Sequence, residues 1–139
     1  EGCECDTSCT DCLNHFHNQH IQSRLDRKLG ASLLRYALYG MIPHCASPDI
    51  QVEKLSQLRA SLELDGFQCL IKGTQEAPMI VSLNGRSVAV GSYPGLIDRT
   101  DFQHDVYKAK KTNDHIAFNE YLLRSNLPQA HQNVRKLLR

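Results

Sequence analysis

The sequence has no tryptophan, and aromatic residues make up only 6% of its 139 positions. A core with so few rings has to be mainly aliphatic. No apolar run approaches the roughly 18 residues that a membrane-spanning helix requires, and the start has no signal-peptide pattern. A soluble, cytoplasmic chain is therefore expected, with no membrane partner. Net charge is only +1, so no whole-domain field gathers nucleic acid. Several catalytic patterns are also missing. Without GxxxxGK[ST] there is no phosphate-cradling motor loop. GxSxG and HExxH are absent, and no HxE precedes a PCxxC as a zinc deaminase would need.

Cysteine, in contrast, is concentrated. Four of the six lie in the stretch CECDTSCTDC, as Cys3, Cys5, Cys9 and Cys12, while Cys45 and Cys69 stand apart in apolar surroundings. A disulfide scaffold usually spreads its bridges through a short secreted fold. A dense cluster followed by isolated thiols points to a metal site. Cys9 and Cys12 form a CxxC, the common zinc half-site, and four thiolates close a structural zinc site. The Cys3-x-Cys5 pair is tighter than usual, which leaves open whether both bind. His15, His17 and His20 follow closely and can replace a thiol. Only Glu1 and Gly2 precede the cluster, so the sequence reads as the C-terminal piece of a longer protein.

Behind the cysteines, the pattern predicts one long helix from Asp11 to Tyr39, with Thr10 or Asp11 as its cap. Gly40 is its stop, and Pro43 prevents continuation. Ile21, Leu25, Leu29, Ser32 and Tyr36 share one face. His17, His20, Arg24, Arg27, Lys28 and Arg35 gather on another, a basic stripe over about five turns. Such a stripe is either an ordinary wet face or a track for a phosphate backbone, with Arg24, Lys28 and Arg35 as the candidate contacts.

The stretch SCTDCLNHFHNQHIQSRLDRKLGASLL resembles the zinc-binding domain at the C-terminal end of mitomycin repair factor helicases. The same domain occurs in the B component of the DISARM phage-defence system. The shared pattern is Cys9, Cys12 and Leu13, then Phe16, Asn18 and Gln19, then Leu25, Asp26 and Arg27. It covers about thirty residues. Phe16 stands where tyrosine is more usual and Gln22 where histidine is frequent, so a role for a tyrosine hydroxyl or a histidine there does not carry over. The resemblance implies a structural Zn²⁺ site held by Cys5, Cys9 and Cys12, with Cys3 as the fourth ligand. It also implies a place beside a helicase, as a subunit or a domain of the same protein, in DNA repair or antiviral defence. It implies no catalysis by the module itself. Asn18, Gln19 and Arg27 are candidates to stabilise the anionic metal–thiolate group, with Asp26 fixing Arg27.

Farther on, SPDIQVEKLSQLRASLELDGF predicts a second helix. Ser47 or Asp49 is its cap, Ile50, Leu55, Leu58 and Leu62 its apolar stripe, and Gly66 its stop. FQCLIK alternates like a strand, with Phe67, Cys69 and Ile71 on one face. Asn84-Gly85 between two apolar runs predicts a hairpin of Met79–Leu83 with Arg86–Val90. YPGLIDRTDF reads as a turn or loop. From Asp101 to Leu127 the pattern predicts one short and one longer helix, with Asn113 or Asp114 capping the second. A last helix follows, with Pro128 in its first turn and Ala130, Val134, Leu137 and Leu138 on its apolar side.

The expected fold is α+β, a single domain over 1–139. Residues 1–40 form the zinc knuckle and long helix. Residues 41–139 form a small, mainly antiparallel sheet with helices packed on it, and a mixed sheet is allowed. From Asp98 onward there are eight Lys/Arg against five Asp/Glu, a mildly basic tail. Two acidic groupings keep a metal-dependent nuclease in view: Glu63, Asp65 and Lys72 around a strand, and Asp98, Asp101 and His104 in a loop. The expected function is a helicase-associated zinc module that docks, contacts DNA, or both. The alternatives are a direct nucleic-acid binder and a nuclease.

Overall fold

The computed structural model describes residues 3–5, 7–44, 46–97 and 115–139. The chain divides into two compact units, Glu1–Pro43 and His44–Arg139. Among the described residues no helix is long and apolar enough to cross a membrane.

The first unit begins with a cysteine turn, in which the Cys9 carbonyl accepts from the amides of Cys12, Leu13 and Asn14. A 3-10 segment, Phe16–Arg24, follows, and then α1, Arg27–Tyr39. The single helix expected from Asp11 is therefore broken, and Thr10 and Asp11 lie in a turn instead of capping it. The cause is local. Asn18 donates to the Leu13 carbonyl and Gln22 to the His15 carbonyl, so amide side chains take up backbone groups and compete with regular helix bonding. Leu25 and Asp26 are extended, and the Asp26 carboxylate accepts from the Leu29 amide as the true N-cap of α1. Gly40, at φ 63°, ends the helix with its amide on the Tyr36 carbonyl. Neither helical segment contains a buried residue.

The second unit opens with α2, Pro48–Lys54, and α3, Ser56–Leu64, which part at Leu55 where one helix was expected. Ser47 stands at the N-cap of α2 without a side-chain bond, and Pro48 opens the helix. Ile50 faces outward. Its neighbour Gln51 is fully buried and joins three elements. Its amide donates to the carbonyls of Ala46 and Gln75, and its oxygen accepts from the Ser92 amide.

The sheet runs β1 (Gln68–Leu70), β2 (Met79–Leu83), β3 (Arg86–Tyr93) and β4 (His115–Asn119), in that spatial order. The first two pairings are antiparallel, and β3 pairs parallel with β4. The sheet is thus mixed, through a strand the sequence pattern assigned to a helix. HIAFN is too short for its period to declare itself, and the apolar EYLL after it extends a helical reading. The hairpin turn has Asn84 at φ 52° and Gly85 at φ 82°, the two left-handed residues of a type I′ turn. Among the described residues two more helices follow, α4 (Glu120–Ser125) and α5 (Leu127–Leu138).

Cys69, Val81 and Val88 align across the sheet, as do Met79, Val90 and Ile116. These rows join Leu55, Leu58 and Leu62 from the first helical pair and Leu123, Ala130, Val134 and Leu138 from the second in one aliphatic core. Leu137 and Ile71, expected inside, are exposed. The expected short helix from Asp101 and the expected cap at Asn113 or Asp114 lie outside the described residues.

Candidate metal centre

The four sulfurs of Cys3, Cys5, Cys9 and Cys12 lie within 4.8 Å of one another. Individual separations are 3.4 Å for Cys3 to Cys5, 3.5 Å for Cys5 to Cys12 and 3.8 Å for Cys9 to Cys12. Four Zn–S bonds of ~2.3 Å in a tetrahedron set the sulfurs about 3.8 Å apart. A disulfide needs about 2.05 Å, and all four thiols are free. The donor set and spacing therefore fit a single four-coordinate ion. Among the described residues this is the one grouping of its kind. His15, His17 and His20 are exposed and lie outside it.

Sequence and geometry meet in the turn. The tight Cys9 turn aims the Cys9 amide at the Cys12 sulfur, 3.2 Å away. Arg27 donates from Nη1 to the Cys3 sulfur at 2.9 Å, and its own amide donates to the Thr7 carbonyl at 2.9 Å. One residue thus ties the start of α1 to both the thiol cluster and the loop within it. The Asn18 oxygen accepts from the His15 amide at 2.9 Å, so its side chain clamps the loop that leaves Cys12. Gln22 reinforces this clamp from His15, and the Ser8 hydroxyl donates to the Gln22 carbonyl. Gln19 is exposed. Asp26 serves as the α1 cap. Thr7 and Ser8 were not singled out from the sequence, and Gln22 entered only as a departure from the family pattern. Their part depends on backbone carbonyls, which leave no side-chain signature.

The thiols influence one another's protons. Hydrogen bonds from the Cys5 backbone and thiol bring Cys3 down to about 7. Desolvation, then hydrogen bonding to Cys3, pushes Cys5 up to about 12. At Cys9 the Asp11 amide acts downward, but the Cys3 hydrogen bond and desolvation leave it raised. Without a cation the cluster ionises readily at one sulfur and resists further charge. A divalent ion reverses that balance by neutralising the thiolates it binds.

The remaining candidate residues do not come together as expected. Arg24 lies on the 3-10 segment, while Lys28 and Arg35 lie on α1. The break at Leu25 and Asp26 removes the continuous five-turn stripe. Glu63 pairs with Arg59 at 2.8 Å. One oxygen of Asp65 faces His131, Arg139 and Arg135 at 3.3, 3.5 and 3.9 Å. Lys72 is exposed in the loop after β1. These carboxylates are engaged by cations and do not converge on a shared metal position. Asp98, Asp101 and His104 lie outside the described residues.

No family model matches the chain, and no solved structure matches it. Over all 139 residues it is 94% identical to Druantia protein DruE of Escherichia coli (strain UMEA 4076-1). The chain spans 8% of the length of that curated relative.

Proposed function

We propose that the chain is a structural zinc module of a longer phage-defence protein, and that it docks onto a helicase domain of the same protein or assembly. The observation that carries this is the four-sulfur cluster fastened by Arg27 to a helix that buries nothing. The near-identity to a Druantia protein supports defence over repair. The resemblance of the cysteine and Leu-Asp-Arg pattern supports the helicase as partner.

When bound, zinc supplies a closed, redox-inert crosslink. The chain's own residues do the rest. Cys3, Cys5, Cys9 and Cys12 would hold the ion, Arg27 offsets their negative charge, and Asn18 fixes the exit of the loop. Asp26 then starts α1 at a set position. Leu29, Leu33, Leu34, Tyr36, Ala37 and Leu38 cover an arc of ~200° at 100° per residue. Leu38 is 69% exposed. A helix so apolar is normally covered, and an apolar surface of the helicase domain is the occupant in this reading. The chain itself catalyses nothing.

The test has two parts. Metal analysis of protein purified without chelator should give about one zinc per chain, lost in Cys9→Ser. A pull-down with the helicase domain should succeed for the zinc-loaded chain and fail for Leu34→Glu/Leu38→Glu that keeps its zinc. Full binding by that variant would sink the docking face.

A further inference from the structure

Zinc is redox-inert, but the thiolates that would hold it are not. The four cysteines are also not equivalent. Cys12 is exposed, whereas Cys3, Cys5 and Cys9 are half-buried. The Cys3 sulfur is further covered by the Arg27 guanidinium at 2.9 Å. Cys12 shares one hydrogen-bonded turn with Cys9. Its amide donates to the Cys9 carbonyl, and the Cys9 amide points back at the Cys12 sulfur. The two sulfurs lie 3.8 Å apart and must close to about 2.05 Å for a disulfide, a movement that the turn alone can make. Cys5 is as near to Cys12, at 3.5 Å, but it stands on the other arm of the loop, seven residues away. An exposed thiolate beside a resolving cysteine is the usual arrangement of an oxidant-sensing pair.

We propose that Cys12 and Cys9 form an oxidation site for a peroxide, and that closing their disulfide empties the metal centre. The inference rests on the zinc reading of the cluster. The Cys12 thiolate attacks one oxygen of hydrogen peroxide, the O–O bond breaks, and the other oxygen leaves as hydroxide. Cys12 is then a sulfenic acid. The Cys9 thiolate attacks its sulfur, the S–S bond forms, and the S–O bond breaks with loss of a second hydroxide. Two electrons have passed from the two sulfurs to the peroxide. Cys3 and Cys5 then offer only two sulfurs where a closed site takes four ligands. A thiol reductant reopens the bond. The first unit feels the loss, because neither of its helical segments buries a residue. The second keeps its aliphatic core.

In the experiment, hydrogen peroxide is added to the zinc-loaded 139-residue chain beside a chromophoric chelator too weak to strip the untreated site. All of the bound zinc should be released, with an intact mass lower by about 2 Da, the two thiol hydrogens lost in a disulfide. Thiol reductant with added zinc should restore the starting protein. Cleavage before Asp6, Asp11 and Asp26 places Cys9 and Cys12 on different peptides, both separate from Cys3 and Cys5. The expected product joins residues 6–10 to residues 11–25. Cys12→His keeps four ligands without the outer thiol and should retain zinc at the dose that empties the wild type. Zinc retained by the wild type while free cysteine in the same tube is oxidised would overturn the proposal. A bond from Cys12 to Cys5, irreversible release through sulfinic acids, or equal release from Cys12→His would overturn it too. If Cys12→His takes up no zinc, the wild-type peptide map decides alone. A wild-type chain that takes up no zinc would overturn the metal reading and this proposal with it, a failure visible before any peroxide is added.

Discussion

The two units solve the same problem by different means. His44–Arg139 closes an aliphatic core between helices and sheet, with Leu58, Leu62, Val81 and Val134 fully shielded. Glu1–Pro43 has no buried residue in either helical segment. A piece of about 40 residues rarely buries enough apolar surface to hold itself together, and a metal is one of the usual substitutes. In the proposed reading, a metal held by the four cysteines takes the place of a core in the first unit. They leave its apolar side chains free for another surface.

Metal removal should separate the units most sharply. Structural zinc contributes on the order of 10 kcal/mol or more in small metal-folded peptides. A strong chelator should therefore collapse amide protection across residues 7–40 while leaving the sheet unit protected. Hydrogen exchange read by mass spectrometry makes the comparison. Equal loss in both units would show that the second depends on the first.

The converse break is Leu58→Ala. Leu58 is fully buried in the core of the second unit, and truncation at such a position costs about 2–5 kcal/mol. The sheet unit should melt earlier, by thermal denaturation, with zinc stoichiometry unchanged. Loss of zinc in this variant would contradict independence.

A finer cut falls within the first unit. Arg27→Ala removes the donor to the Cys3 sulfur and should lower zinc affinity about 10- to 100-fold, the usual effect of losing a group that supports a ligand. Competition with a chromophoric chelator measures it. Arg27→Lys keeps the charge and should recover part of the loss. An unchanged affinity in Arg27→Ala would reduce the contact to packing.

How much the sequence discloses also differs between the units. Asn84-Gly85 names its own turn because only left-handed residues fit there. Gly40 marks a helix end for the same reason. The cysteine cluster is legible because four ligands within ten residues leave few other uses. What escaped was set by partners distant in sequence or by backbone groups. β4 exists through its parallel pairing with β3. Gln51 takes the inward place expected of Ile50 because three separated backbone groups need it. The break before α1 follows from amide side chains bonding to carbonyls in a stretch whose periodicity alone reads as continuous helix.

The smallest expected effect sharpens the comparison through chemistry instead of stability. Burial, the leading cause, then Glu63 nearby, raise the Cys69 thiol to about 11. A thiol raised on folding favours the folded state while protonated. That contribution is fully present below its ordinary value near 9 and fades as pH rises through about 11. Between about pH 7 and 8 stability should therefore not respond to Cys69. Its alkylation should instead be slow, because the thiolate is the attacking species. After chelation, which unfolds the first unit, the cluster cysteines should label faster than Cys69 at about pH 7.5, because unfolding exposes them and removes the mutual hydrogen bonding that raises Cys5. Peptide mapping after brief iodoacetamide treatment separates the sites. Rapid labelling of Cys69 in the folded chain would show that the second unit opens more readily than its shielded core implies.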